Sequence, residues 1–155
     1  MSALSNARQA LDEVRLSITD RHRLQDEATF LDEKTCLSLL AMSQVGRLAY
    51  VARAGVPDIV PVNYVLSGRS LLIRSGSGPK QQAAQRRAQV AFEVDALGPD
   101  DQTAWSVVVH GRLSVVPVTE HLDAPLPEPW SAGPRRHLLR LTPGRITGRA
   151  LPGRP

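Results

Sequence analysis

The chain has 155 residues, 42% of them hydrophobic and 22% charged, which is the composition of one ordinary globular domain. It contains no apolar run long enough for a membrane span and no signal-peptide core near its polar N-terminus, so we expect a cytoplasmic protein without membrane contact. The net charge of +4 comes from a late excess of arginine with few aromatic residues, and this pattern argues against nucleic acid as the main partner.

The N-terminal segment predicts a helical arm. Apolar residues recur at helical spacing over residues 4–18, at Leu4, Ala7, Leu11, Val14 and Ile18. Residues 19–28 are highly charged and indicate a linker or a continuation of the helix. We therefore divide the chain into an arm, residues 1–28, and a domain, residues 29–155.

A second helix is predicted to begin at Asp32 and to continue to about Ser43. Asp32 can cap the first turn, and Leu31 and Cys36 have the spacing of a hydrophobic staple. Cys36 is the only cysteine, which excludes an internal disulfide, and it falls near the apolar side of this helix. We interpret it as a small buried thiol rather than a nucleophile.

Five to seven short strands are predicted after this helix. A strand over residues 46–52 precedes a hairpin, in which the runs Ile59–Leu66 and Ser70–Ile73 flank a turn that contains Gly68. The later predicted elements are a helix over 79–88, a strand over 89–95, a polar loop over 98–103, a strand over 105–116 bent at Gly111, an extended crossing over 117–134, and a final strand or strand pair over 137–149 interrupted at Pro143-Gly144. Because helices do not alternate with strands, we predict a mainly β fold, a small closed or nearly closed barrel with flanking helices.

The loop after the hairpin suits a phosphate group. Arg74 offers a planar fork of donors, Lys80 offers a point charge, and Ser75 and Ser77 add hydroxyls. The intervening glycines let backbone N–H groups approach an anion where the next helix starts. The alternative is an ordinary solvated loop.

The order of short motifs along the chain resembles that of the pyridoxamine 5'-phosphate oxidase-like FMN-binding split-barrel superfamily, in its short actinobacterial-type branch. The motifs that carry the resemblance are GRLA at 46–49, PVNY at 61–64, IRS at 73–75, GPK at 78–80, VAFEVD at 90–95, WSVVV at 105–109 and RLTPGRI at 140–146. The resemblance implies a six-stranded split β-barrel that forms a homodimer and holds two FMN molecules between its subunits.

The resemblance also implies a set of cofactor-binding residues. Those that would hold the phosphate are Arg74, Ser75 and Lys80, with Ser77 and Gln81 as helpers. Those that would line the isoalloxazine, partly through backbone groups, are Pro61, Val62, Asn63 and Tyr64. Trp105 and Ser106 would lie near the flavin that the other subunit mainly binds, although a core or interface role for Trp105 remains an alternative.

The C-terminal segment departs from the family pattern. True pyridoxamine phosphate oxidases end in Trp-Gln-Gly and Arg-x-His, and RLTPGRITGRALPGRP contains neither motif, so we do not expect the vitamin B6 reaction. No residue stands out as a general base, and the four histidines lack metal-ligand spacing. The resemblance implies a flavin-dependent oxidoreductase, and we expect its substrate and electron donor to be small molecules.

Two alternatives remain beside this prediction. The first is a non-catalytic module that binds or senses a flavin, the deazaflavin F420 or haem. The second is nucleic-acid binding by the arginine-rich C-terminal tail.

Overall fold

The computed structural model describes residues 29–97, 104–117, 119–120, 125–127 and 136–151. Within these parts the chain forms two helices and seven strands. In chain order they are β1 (Thr29–Leu31), α1 (Glu33–Met42), β2 (Val45–Val51), β3 (Pro57–Ser67), β4 (Ser70–Ser75), α2 (Pro79–Gln85), β5 (Gln89–Leu97), β6 (Ala104–Val115) and β7 (His137–Leu151). The predicted arm over residues 1–28, the loop over 98–103 and most of the crossing over 117–134 lie outside the described residues.

Six of the seven strands form a closed barrel. The sheet order is β1-β7-β4-β3-β2-β5-β6, and an additional pairing between β7 and β6 completes a ring of six strands with β1 outside it. The predicted class, a mainly β fold built on a six-stranded antiparallel barrel, is confirmed.

The described residues divide into two compact units. The first unit contains the described residues up to Ser43, those in Val94–Val108 and those from Ile146 onward. The second unit contains those in Gln44–Glu93 and Val109–Arg145.

Helix α1 begins as its sequence predicts. The Asp32 carboxylate accepts a 2.7 Å hydrogen bond from the Thr35 N–H, and this bond lowers the carboxyl pKa. Cys36 is fully buried, and burial raises the pKa of its thiol to about 11. A thiol in this state is neutral at physiological pH, as expected for a packing residue. The three residues before the cap form β1, which local pattern does not predict, because this strand is defined only by its pairing with the distant β7.

The core between β2, β3 and β5 is aromatic and closely packed. The rings of Tyr64 and Phe92 meet edge to face, with centroids 4.8 Å apart and planes at 74°. The Phe92 ring lies directly over Gly46, so closely that a Cβ at this position would overlap the ring. Leu48 faces Phe92 in the β2–β5 register, and both side chains are fully buried.

Strand ends differ from the sequence prediction by one or two residues, and two of the predicted elements differ by more. Strand β7 runs without interruption through Pro143; its pairing with β4 ends at Leu141 and its pairing with β1 starts at Gly148. The missing N–H of Pro143 therefore falls between these two ladders, where it costs neither of them a hydrogen bond. Helix α2 ends at Gln85, before the predicted residue 88, since Arg87 adopts a left-handed backbone with φ of 53°.

Candidate functional site

The loop between β4 and α2 lies at one end of the β4–β7 pair. Strand β4 ends at Ser75 and α2 begins at Pro79. In the β4–β7 register, Arg74 is opposite Leu138 and Ser75 is opposite His137. The local sequence explains this geometry, because the hairpin turn at Gly68, with φ of 59°, sends β4 back along β3 and delivers the loop immediately afterwards.

Arg74 is the last residue but one of β4 and lies beside this loop. Its side chain is half-buried. Within the described parts of the chain, no carboxylate, carbonyl or hydroxyl accepts a hydrogen bond from its guanidinium. A guanidinium has five N–H donors in a fixed fork, and a half-buried one without acceptors is suited to an anionic ligand.

The two loop serines differ in accessibility. Ser75 is only 2% exposed, and its hydroxyl donates to the Gly76 carbonyl at 2.9 Å. Ser77 is exposed, and its Oγ lies 3.3 Å from Nε2 of His137. Successive strand residues face opposite sides, so Arg74 and Ser75 point to different faces of β4. Arg74 and Ser75 can therefore contact the same ligand only if it lies beyond the end of β4.

The start of α2 supplies the remaining predicted phosphate residues. Lys80 and Gln81 lie in its first turn, and both are half-buried. Gly78 precedes the helix with φ of 148°, and no atom lies within 4 Å of the position that a Cβ would occupy there. The backbone is therefore open on that side of the loop.

The predicted ring-lining residues divide between the two faces of β3. Val62 and Tyr64 are buried, with 6% and 3% of their surface exposed, and their side chains belong to the core. Pro61 is exposed and Asn63 is half-buried on the other face. A flavin on this strand would meet the side chains of Pro61 and Asn63, and only the backbone of Val62 and Tyr64.

Trp105 and Ser106 are half-buried near the start of β6. They belong to the first of the two units, whereas the phosphate loop and β3 belong to the second. Their predicted contact with a flavin stays a prediction.

A second concave feature lies where β2 and β3 meet the start of β5. This groove has a volume of about 320 Å³ and is lined mainly by apolar side chains, among them Ala49, Val51, Pro57 and Ala91. At its edge the Tyr50 hydroxyl donates to the Asp58 carboxylate at 2.8 Å. Burial, and then this bond, raises the pKa of Tyr50 to about 12.

The described residues meet the requirements of neither a metal site nor a membrane-spanning helix. Among the described residues, no three histidine, cysteine or acidic side chains group closely enough to hold a metal ion. Neither described helix has the length and apolar character to cross a bilayer.

The structure adds two groups that sequence reasoning did not single out. His137 contacts Ser77, although 60 positions separate them in the chain. The guanidinium of Arg47 in β2 forms an ion pair with the carboxylate of Glu93 at 2.8 Å. In the β2–β3 register Arg47 lies directly opposite Pro61. No local pattern could have identified either pair, because each depends on the register between strands.

The closed six-stranded antiparallel barrel is the fold that the sequence resemblance implies. A family model described as pyridoxamine 5'-phosphate oxidase matches residues 32–150, and the chain belongs to this family.

The chain is also similar to one curated relative and to two solved structures. An uncharacterized protein of Mycobacterium tuberculosis, Rv0080, is 32% identical over 129 residues, which are 79% of this chain and 84% of the relative. The FAD binding protein from Mycobacterium smegmatis is 27% identical with a TM-score of 0.61, and the match covers 81% of this chain and 99% of that protein. An FAD-binding protein from Mesorhizobium loti is 26% identical with a TM-score of 0.66, over 81% and 99% of the two chains.

Proposed function

We propose that this protein is a homodimeric flavin-binding protein that acts as a flavin-dependent oxidoreductase. In this proposal the loop from Arg74 to Gln81 holds the flavin phosphate. The exposed face of β3 at Pro61 and Asn63 carries the isoalloxazine, with Trp105 and Ser106 of the other subunit beside it. The observation that carries the proposal is the half-buried Arg74 guanidinium, which has no acceptor among the described residues.

The donor set of the loop fits a flavin phosphate. Such a phosphate carries up to two negative charges, and Arg74 and Lys80 supply two positive ones. The exposed Ser77 hydroxyl and the open backbone at Gly78 add neutral donors, and Ser75 adds a hydroxyl after rotation away from Gly76. Charge-assisted hydrogen bonds of this kind are short and strong, so the set favours a phosphate over a neutral ligand.

The flavin itself supplies the redox chemistry when it is bound, and the protein supplies binding and orientation. Pro61 offers a rigid apolar surface, and Asn63 offers an amide that can donate to or accept from a ring edge. We assign no residue as general acid or base. The electron donor and the substrate of the proposed reaction are small molecules.

FMN is the first choice of nucleotide, and FAD is the second. The sequence resemblance points to FMN, whereas two structural relatives at 26% and 27% identity are FAD-binding proteins. Both nucleotides carry phosphate next to the ribityl chain, so the loop serves either one. Mass spectrometry of the extracted cofactor distinguishes them, and it also identifies a deazaflavin.

The proposed dimer uses the outer face of β2 and β3. In the β2–β3 register Ala49 is opposite Ile59 and Val51 is opposite Pro57, and directly opposed residues share a face. Ile59 is 61% exposed and Val51 is 48% exposed, next to the apolar groove described above. A second copy of the chain is the partner that would bury this surface.

The first experiment measures cofactor content and reduction. The purified protein is expected to be yellow, with a flavin spectrum that NAD(P)H bleaches under anaerobic conditions. Colour without bleaching supports the sensing alternative or a different electron donor, and a Soret band identifies haem. A colourless protein that does not take up FMN or FAD contradicts the proposal.

The second experiment tests the phosphate site. Arg74→Ala with Lys80→Ala removes two charge-assisted contacts, each worth about 1.5–3 kcal/mol, so FMN affinity should fall by more than about a hundredfold. The matched control is Arg69→Ala with Lys34→Ala, because Lys34 is the only other lysine and the net charge changes equally. Stoichiometric FMN in the first double variant would show that the phosphate binds elsewhere.

A further inference from the structure

The start of β7 brings a histidine to the phosphate loop. Nε2 of His137 lies 3.3 Å from Oγ of Ser77, and the strand register places His137 directly opposite Ser75. His137 is half-buried, whereas Ser77 is exposed. The loop hydroxyl that is most accessible to a ligand is therefore already engaged by an imidazole from another strand.

The chemistry of a phosphate decides the direction of this contact. Ionised phosphate oxygens only accept hydrogen bonds, so a serine hydroxyl that binds phosphate must donate its single hydrogen to it. Toward His137 the Ser77 oxygen must then act as an acceptor. This requires a hydrogen on Nε2, which both the Nε2–H tautomer and the imidazolium carry.

The opposite tautomer would block the site. An imidazole with its hydrogen on Nδ1 accepts the Ser77 hydrogen at Nε2, and the lone pairs of the hydroxyl would then face the phosphate. The contact between these two residues thus determines whether Ser77 attracts or repels the anion. Hydrogen bonds from a neighbouring side chain to a ligand-binding group commonly fix the orientation of that group.

We propose that His137 is a positioning residue of the flavin-phosphate site: it donates from Nε2 to Ser77 Oγ and so directs the Ser77 hydroxyl hydrogen toward the phosphate. This inference rests on the proposed function, because it assumes a flavin phosphate in the loop. His137 has no metal-ligand spacing, and it was not among the cofactor-binding residues predicted from the sequence.

The test is a double-mutant cycle read as binding affinity for FMN and for riboflavin, which lacks the phosphate. Ser77→Ala should weaken FMN binding about tenfold, because it removes a hydrogen bond to a charged group. His137→Phe should weaken FMN binding severalfold, because the Ser77 hydroxyl keeps its hydrogen but loses its fixed orientation toward the phosphate. The double variant should be no weaker than Ser77→Ala alone, since His137 acts through Ser77. Riboflavin affinity should stay unchanged in all three.

A conservative variant separates positioning from packing. The amide of glutamine can donate where Nε2–H donates, so His137→Gln should retain most of the FMN affinity that His137→Phe loses. Thermal unfolding of each variant verifies that the barrel is intact.

Three results would overturn the inference while leaving the proposed function in place. They are unchanged FMN affinity in His137→Phe, an equal loss of FMN and riboflavin affinity, and an additional severalfold loss when His137→Phe is combined with Ser77→Ala. Failure of the unmodified protein to bind either FMN or FAD would overturn both proposals. Flavin binding that survives Arg74→Ala with Lys80→Ala would overturn the phosphate site on which both proposals are built.

Discussion

Tyr50 on β2 and Asp58 on β3 face each other across the strand pair, and the phenol donates a 2.8 Å hydrogen bond to the carboxylate. The same carboxylate accepts a second bond from the Ile59 N–H at 2.8 Å. Tyr50 is only 5% exposed, so its neutral form is strongly favoured in the folded protein.

This pair makes stability sensitive to alkaline pH. The folded-state pKa of Tyr50 is about 12, above its ordinary value of 10.0, so the stabilisation is complete below pH 10 and is lost as pH rises toward 12. We expect the free energy of unfolding to fall across this window in urea titrations. Tyr50→Phe should remove that part of the pH dependence and cost about 1–2 kcal/mol at neutral pH. An unchanged alkaline slope in Tyr50→Phe would contradict the assignment.

The cap of α1 gives a second prediction. Asp32→Ala removes the acceptor for the Thr35 N–H and should lower the free energy of unfolding by about 1 kcal/mol. Asp32→Asn is the matched control, because asparagine caps equally well without a charge. The pKa of Asp32 lies below its ordinary value of 3.8, so its contribution is present above that pH and disappears as pH falls through the folded-state pKa. Equal destabilisation of both variants would count against the cap.

Gly46 gives a third prediction. A methyl group there would overlap the Phe92 ring, so Gly46→Ala should destabilise the protein by about 1–3 kcal/mol in chemical denaturation. Gly144→Ala is the control, because the nearest atom to its new Cβ is 3.6 Å away and its backbone is not left-handed. If both variants unfold at the same denaturant concentration, Phe92 does not lie over Gly46.

The proposed dimer face gives a fourth prediction. Ile59→Glu places a charge on the outer face of β3, where it would have to be desolvated in a dimer. Light scattering coupled to size exclusion should therefore show a monomer. Leu151→Glu, at a leucine that is 50% exposed at the end of β7, should leave the dimer intact. A dimeric Ile59→Glu protein would place the interface elsewhere.

Local sequence was sufficient for the elements that local chemistry controls. The hairpin, the cap at Asp32 and the basic loop each depend on residues a few positions apart, and the structure contains all three. The order of motifs along the chain was specific enough to indicate the family.

What the sequence did not reveal depends on strand register. Alternation places Pro61 and Asn63 on one face of β3 and Val62 and Tyr64 on the other, but the packing of Phe92 decides which face is inside. The contact between Ser77 and His137 and the three-residue β1 depend in the same way on pairing with β7.

Strand β7 has a consequence for biosynthesis. Its first residues pair with β4, whose other edge pairs with β3. Its last residues pair with β1, which pairs with no other described strand. A ribosome must therefore release β7 before the ring can close, and until then β4 has an unpaired edge that can aggregate or bind chaperones. Truncations from the C-terminal side should accordingly abolish soluble expression abruptly once they reach β7.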